Sequence, residues 1–121
     1  MTVERIEEIK KELRDMFRIS TSELMTMIEI PEGCVISDKL LDEMITSEDV
    51  WLRRIVAIAG RPKDLSILVV DPSELVRYEV LFHKRNEDLR ILKDDANEDI
   101  RNAAQSLLKS DCITQGILGR H

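Results

Sequence analysis

A repeat of 24 residues is the sequence feature that most constrains the fold of this chain. Shifting the sequence by 24 aligns Leu52-Arg53 with Val76-Arg77 and then with Ile100-Arg101. Two further apolar columns follow the same period: Leu41, Leu65 and Leu89, and Met44, Leu68 and Leu92. A short fixed period is typical of solenoids, in which each unit buries its apolar face against its neighbours.

Each unit is predicted to contain two parts. The first part is expected to begin with an N-cap at Ser47, Asp71 or Asp95, because these residue types accept hydrogen bonds from free N–H groups at helix starts. Apolar residues then follow at helical spacing. The second part is short, as in "NEDLRILKDD", where Leu89 and Leu92 lie three apart. We expect one or two turns of α-helix or 3₁₀ helix there.

A strand-forming leucine-rich repeat is the competing interpretation, since "LSILVVDPS" fits its L-x-x-L-x-L pattern. The next copy, "LRILKDDAN", places Asp94 where a buried strand residue should stand, so we reject it. The units instead resemble the leucine-rich repeat variant family, a HEAT-like group. The matching stretches are "LRRIVAIAGRPKDLSILVVD" (52–71), "VRYEVLFHKRNEDLRILKDD" (76–95) and the partial "IRNAAQSLLKSDC" (100–112).

This resemblance implies an all-α fold, a short right-handed α-solenoid that alternates an α-helix with a 3₁₀ helix. Residues 1–34 are expected to form an N-terminal helical cap, and residues 35–121 about three repeats ending in a worn C-terminal unit. Some members of the family carry an iron–sulfur segment with clustered cysteines. Cys34 and Cys112 cannot supply one, so we expect two free thiols, no metal and no cofactor.

Two stretches carry the predicted cap. "VERIEEIKKELRDMF" places apolar residues from Val3 to Phe17 on one helical stripe. Ser20 and Glu23 have the spacing of a capping box that opens "SELMTMIEI", which Pro31 is expected to stop.

Composition limits the classes of partner. The formal charge is −6, which disfavours non-specific attraction to nucleic acid or to an anionic membrane. No apolar run is long enough to span a bilayer, and the acidic N-terminal stretch does not match a secretory signal. We therefore expect a cytoplasmic protein that does not contact membranes.

An arginine column, Arg53, Arg77 and Arg101, lies beside the core positions of the repeat. One interpretation is a basic ladder for phosphates or an acidic partner. We favour the structural alternative, in which the arginines bridge Asp-led turns such as those at Asp71 and Asp95, because a half-buried arginine is normally paired.

A second stripe faces away from the predicted core and supplies the candidate binding residues. Aromatic and arginine side chains are the types enriched in binding hot spots. The alternative is that the apolar members pack under the short second segments. The candidates are Arg54, Ile58, Arg61, Tyr78, Phe82, Arg85 and Lys109.

These patterns predict a non-enzymatic module that binds a larger protein as an adaptor, regulator or inhibitor. The sequence contains no H-E-x-x-H, G-x-S-x-G or phosphate-binding glycine loop, and its two histidines have no conspicuous catalytic partner. The alternative is a nucleic-acid-associated protein, which contacts a strand through the basic and aromatic stripe or competes with nucleic acid for a protein. A homo-oligomer also remains open, because short solenoids have exposed apolar ends.

Overall fold

The computed structural model describes the backbone of residues 1–119 and the side chains of residues 1–109. It divides into two compact units, Met1–Asp64 and Leu65–His121. The regular structure of the described residues consists of eight α-helices, with no strand among them. The prediction of an all-α protein is therefore confirmed, and the rejected strand at "LSILVV" is instead the end of a helix, residues 65–68, followed by a turn.

Unit 1 begins with a long amphipathic helix, α1. The Thr2 side chain accepts a hydrogen bond from the Arg5 N–H and caps this helix. Ile9, Leu13 and Phe17 lie on its buried face, as predicted, whereas Val3 and Met16 of the predicted stripe are exposed. The helices of this unit are α1 (Val3–Phe17), α2 (Thr21–Thr26), α3 (Asp38–Met44), α4 (Val50–Ala59) and the first residues of α5 (Pro62–Leu68).

The capping box predicted at the start of α2 is present. Ser20 accepts from the Glu23 N–H at 3.2 Å, and the Glu23 carboxylate accepts from the Ser20 N–H at 3.1 Å. The helix ends earlier than expected, at Thr26 rather than at Pro31. An irregular stretch therefore separates α2 from α3, and its carbonyl groups need donors from elsewhere in the unit.

Unit 2 is built from three helices that pack on one another, together with the end of α5. Val76 and Val80 of the first helix are fully buried, as are Ile100 and Ala104 of the last. The three helices are α6 (Glu74–Leu81), α7 (Asn86–Leu92) and α8 (Glu98–Gly119).

The 24-residue period of the sequence recurs in the helix starts. Helices α3, α5 and α7 begin at residues 38, 62 and 86, and α4, α6 and α8 begin at residues 50, 74 and 98. The two apolar columns of the short helices are buried in every copy, and so is the first apolar position of the longer helices. The buried positions are Leu41, Leu65 and Leu89; Met44, Leu68 and Leu92; and Leu52, Val76 and Ile100.

The second parts of the units differ from the family resemblance in one respect. Both α5 and α7 are seven-residue α-helices, and no 3₁₀ segment occurs among the described residues. The Asn86–Leu92 segment is long enough to close α-helical bonds, as the Lys93 N–H to Leu89 carbonyl bond shows.

The final helix continues without interruption to Gly119. In each earlier 24-residue repeat, a separate short helix follows the longer one. The side chains of residues 110–121, including Cys112 and His121, lie outside the described residues. The assignment of this stretch as a worn repeat unit therefore stays a prediction.

Candidate functional site

The turns before the longer helices share one hydrogen-bond pattern. The side chains of Ser47, Asp71 and Asp95 each accept from the N–H two residues later, at 3.1, 2.9 and 2.8 Å. These residues hold the turns but are not the N-caps predicted from the sequence. The caps are instead Asp49, Ser73 and Asn97, again 24 apart, whose side chains accept from N–H groups in the first helical turns.

The arginine column closes these turns from the helix side. Arg53, Arg77 and Arg101 each donate from Nη1 to the carbonyl of the residue six positions earlier, at 2.9, 2.8 and 3.1 Å. The acceptors are the residues that hold the turns, Ser47, Asp71 and Asp95. One guanidinium thus fastens each turn to its helix, which is a structural task.

Arg77 has a second task within unit 2. Its Nε and Nη2 donate to the two carboxylate oxygens of Asp95 at 2.8 and 3.1 Å, which is bidentate pairing. Burial alone would raise the pKa of Asp95, but the Arg77 and Asn97 hydrogen bonds outweigh it and hold that pKa below its usual range. Arg77 therefore links two Asp-led turns of unit 2, through the Asp71 carbonyl and the Asp95 carboxylate.

Arg54 was expected on the outward stripe, and the structure places it inside unit 1. Its side chain donates to the carbonyls of Met25 and Met27 at 3.4 and 2.7 Å, and the residue is 8% exposed. These carbonyls belong to the end of α2 and the irregular stretch after it. Arg54 therefore supplies donors that this backbone lacks, and its assignment to a binding surface is wrong because the side chain is buried.

Arg61, another stripe candidate, is held in a cluster of carboxylates. It donates to Asp64 at 2.6 Å and to Asp42 at 2.7 Å, and Asp38 lies 3.3 Å from it. The hydrogen bond with Asp64 raises the pKa of Arg61, while Arg61 lowers the pKa of Asp42. The guanidinium is occupied within unit 1 and is a poor candidate for a partner contact.

Arg85, at the equivalent position of unit 2, is similarly engaged. It donates to Glu87 at 2.6 Å and to the Ser66 hydroxyl at 3.2 Å, and lies 3.5 Å from Asp88. Asp88 Oδ2 is buried without a hydrogen bond among the described residues. Burial raises the pKa of Asp88 even though Arg85 opposes the shift.

Tyr78 and Phe82 form the exposed part of the stripe. They are 40% and 58% exposed, and their rings meet edge to face with centroids 5.2 Å apart. They line an open apolar cleft of about 390 Å³ between α6 and α8. The other described lining residues are Leu81, Lys84, Ala103, Ser106 and Leu107.

The remaining two candidates do not line this cleft. Ile58 is half-buried in unit 1, and Lys109 is exposed at the end of the described side chains. The predicted stripe is therefore reduced to an aromatic pair in unit 2.

Sequence reasoning missed Lys84. This exposed residue lies in the cleft with a left-handed backbone, φ 54°, which non-glycine residues rarely adopt. The 24-residue alignment contained the signal, because the equivalent position is Gly60, with φ 75°. Glycine adopts this left-handed conformation readily, so a lysine at the position aligned with Gly60 is unusual.

Two further observations concern the whole described part of the chain. None of its helices combines the length and apolar character needed to cross a bilayer. Its His, Cys, Asp and Glu side chains form no group of three suited to hold a metal ion.

Comparison of the chain with protein-family models, with curated proteins and with solved structures finds no match.

Proposed function

We propose that this chain is a non-enzymatic protein-binding module, an adaptor, regulator or inhibitor that contacts its partner through the Tyr78–Phe82 cleft. The observation that carries the proposal is the aromatic pair itself. Two aromatic side chains stand exposed over an apolar cleft, although the same helix buries Val76 and Val80 completely. Exposed aromatic residues beside a cleft are the usual anchors of protein interfaces.

The proposed architecture is a short α-solenoid of leucine-rich-variant type. The recurring helix starts, buried columns and turn hydrogen bonds at 24-residue spacing support it, since each is a local device that a repeat would copy. In such repeats the side chains that are not copied are free to serve binding. Tyr78 and Phe82 belong to this group, because Asn102 and Ser106 occupy their positions in the next copy.

The nucleic-acid alternative depends on a basic stripe, and the structure weakens its basis. Arg54, Arg61 and Arg85 donate to carbonyl, carboxylate and hydroxyl groups within their own units. Binding through phosphates needs several cations that can exchange counterions for the strand. A cleft whose described lining residues include one lysine as their only cation suits a protein partner better.

The test is a double substitution, Tyr78→Ala with Phe82→Ala. We expect it to leave the helical content nearly unchanged, because both side chains are exposed, and to abolish retention of the partner. Pull-downs from lysate of the source organism, with and without nuclease, compare wild type, the double variant and Ile91→Ala. Ile91 is a matched exposed apolar side chain outside the cleft.

Three outcomes are informative. A stoichiometric protein that survives nuclease, is lost with the double variant and is kept by Ile91→Ala supports the proposal. Loss of the captured material on nuclease treatment would favour the nucleic-acid alternative. Unfolding of the double variant would show that the two rings are core residues and would end the site assignment.

A further inference from the structure

The charge of the cleft in unit 2 indicates which kind of partner segment it takes. Lys84 is the charged residue among the described residues that line it. Its ammonium makes no hydrogen bond or ion pair with the described residues, whereas Arg77 and Arg85 nearby in sequence are both paired. Among the described residues, the cleft therefore offers one positive charge without an ionic partner, beside exposed apolar surface.

The backbone at Lys84 indicates that this charge is not there for the fold. Its left-handed conformation costs a non-glycine residue free energy, and the equivalent position of unit 1 avoids that cost with Gly60. Backbone strain of this kind persists at binding sites, where the side chain is needed despite it. Arg18 is also left-handed, but it caps α1 and does not line this cleft.

Resting on the function proposed above, we propose that the cleft binds an acidic amphipathic segment of the partner protein. An apolar side chain of that segment packs against Phe82, Leu81 and Leu107, and a neighbouring carboxylate pairs with the Lys84 ammonium. The Tyr78 hydroxyl, which has no hydrogen-bond partner among the described residues, supplies a further donor at the same site. The occupant is thus defined by one apolar anchor and one adjacent acidic group.

The net charge of −6 does not prevent this pairing. Salt screens charges beyond about 8 Å at physiological ionic strength, so contact with Lys84 is governed by local charge. A nucleic-acid strand binds through many phosphates, whereas Lys84 is the one cation among the described residues that line the cleft, so the local charge suits a single carboxylate better.

The probe is a display library of random peptides of about twelve residues, a length that covers one groove. Peptides selected on the wild-type chain should carry Leu, Phe or Trp beside Asp or Glu. Their affinity is then measured by fluorescence anisotropy. The panel contains wild type and five variants: Lys84→Gly, Lys84→Glu, Lys84→Arg, Phe82→Ala and Ile91→Ala.

Lys84→Gly should weaken the selected peptides about two- to fivefold, the range for an exposed ion pair, and Lys84→Glu more. Lys84→Arg should retain affinity within about twofold because it keeps the charge. Lys84→Gly should melt no lower than wild type, since glycine adopts the left-handed backbone without strain. Replacing the acidic residue of the peptide by its amide should reduce the affinity for wild type by the same factor. The same replacement should cause no further loss of affinity for Lys84→Gly, because the ion pair is already absent there.

The outcomes separate the two proposals. Peptides that require Phe82, lack a carboxylate and bind Lys84→Gly as tightly as wild type would overturn the acidic-partner inference and leave the binding function intact. Failure to select any peptide that depends on Phe82 would overturn both. Binding of a mixed-sequence single-stranded DNA that is lost with both Phe82→Ala and Lys84→Gly would replace the peptide by a nucleic-acid strand.

Discussion

The turn at residues 61–64 of unit 1 recurs at residues 85–88 of unit 2. The charged groups of the two copies are paired to different degrees. In unit 1, Arg61 donates to buried Asp64 at 2.6 Å and to Asp42 at 2.7 Å. In unit 2, Arg85 lies 3.5 Å from Asp88, and the residue aligned with Asp42 is Ser66. One copy is a closed ionic cluster, while the other leaves a buried carboxylate oxygen of Asp88 without a hydrogen bond from any residue that the structure describes.

The difference shows what a repeat must keep and what it can lose. Both copies keep an arginine and, three residues later, a buried aspartate, which is 3% or 2% exposed at its side chain. The outer carboxylates Asp38 and Asp42 do not recur at the aligned positions, and Arg85 pairs instead with exposed Glu87 at 2.6 Å. Exposed ion pairs of this kind contribute little free energy, so their positions can change between copies. The unit with the weaker turn is also the one that carries the exposed aromatic cleft.

Arg61→Ala and Arg85→Ala test this comparison with the largest expected effect. Arg61→Ala should lower the free energy of unfolding by about 3 kcal/mol, because it leaves the Asp64 carboxylate buried without its partner. Arg85→Ala should cost only about 1 kcal/mol, since Asp88 is already poorly paired. Urea unfolding followed by circular dichroism measures both. Adding Asp64→Asn should recover part of the Arg61→Ala loss, and an undiminished loss would contradict the role given to Asp64.

Asp88→Asn sharpens the comparison through pH. Because burial raises the pKa of Asp88, its stabilising contribution is present below the ordinary aspartate pKa of about 3.9 and is lost as pH rises through the raised value. In Asp88→Asn the side chain is neutral at every pH, so its contribution to stability is not lost as pH rises. The variant should therefore gain stability relative to wild type as pH rises from about 4 to 7.

Thermal unfolding of wild type and Asp88→Asn at both pH values measures this gain. Asp95→Asn is the opposite control. The pKa of Asp95 is lowered, so wild type should exceed that variant by more at neutral than at acidic pH. A pH-independent difference between Asp88→Asn and wild type would show that Asp88 is not buried as a charged group.

Ser66→Asp has the smallest expected effect and rebuilds the first copy in the second. The new carboxylate would face Arg85, to which the Ser66 hydroxyl is now hydrogen-bonded at 3.2 Å. We expect a gain of about 0.5 kcal/mol that disappears at high salt, since the site is exposed. Ser66→Ala controls for loss of the hydroxyl. A gain that salt does not change would mean that something other than the ion pair is responsible.

The apolar columns were predictable because they depend only on spacing. Residues such as Leu41, Leu65 and Leu89 recur at a fixed interval on the inner face of a short helix, and each is buried. The turn residues were located correctly but given the wrong role. A side chain that accepts from the N–H two residues later and an N-cap use the same residue types, so Asp71 and Ser73 cannot be distinguished by type alone.

The arginines could not be assigned from the pattern for a different reason. Arg54 aligns with Tyr78, yet one is buried and the other exposed. The cause lies in the irregular stretch after α2, whose carbonyls at Met25 and Met27 require donors. No periodicity marks that stretch, so its need for Arg54 is not visible in the repeat.

The sequence by itself determined the helical class, the 24-residue period and the buried columns, because burial of one face at helical spacing is a local property of the chain. The tertiary structure alone decided which charges are satisfied and which remain free. From residue type alone, Arg61 and Lys84 would both be expected to be exposed cations. Only the packing shows that Arg61 is surrounded by carboxylates and that Lys84 lines an apolar cleft. Hydrogen bonds and ion pairs join residues that are distant in sequence, so their partners follow from how the helices are placed and not from their order.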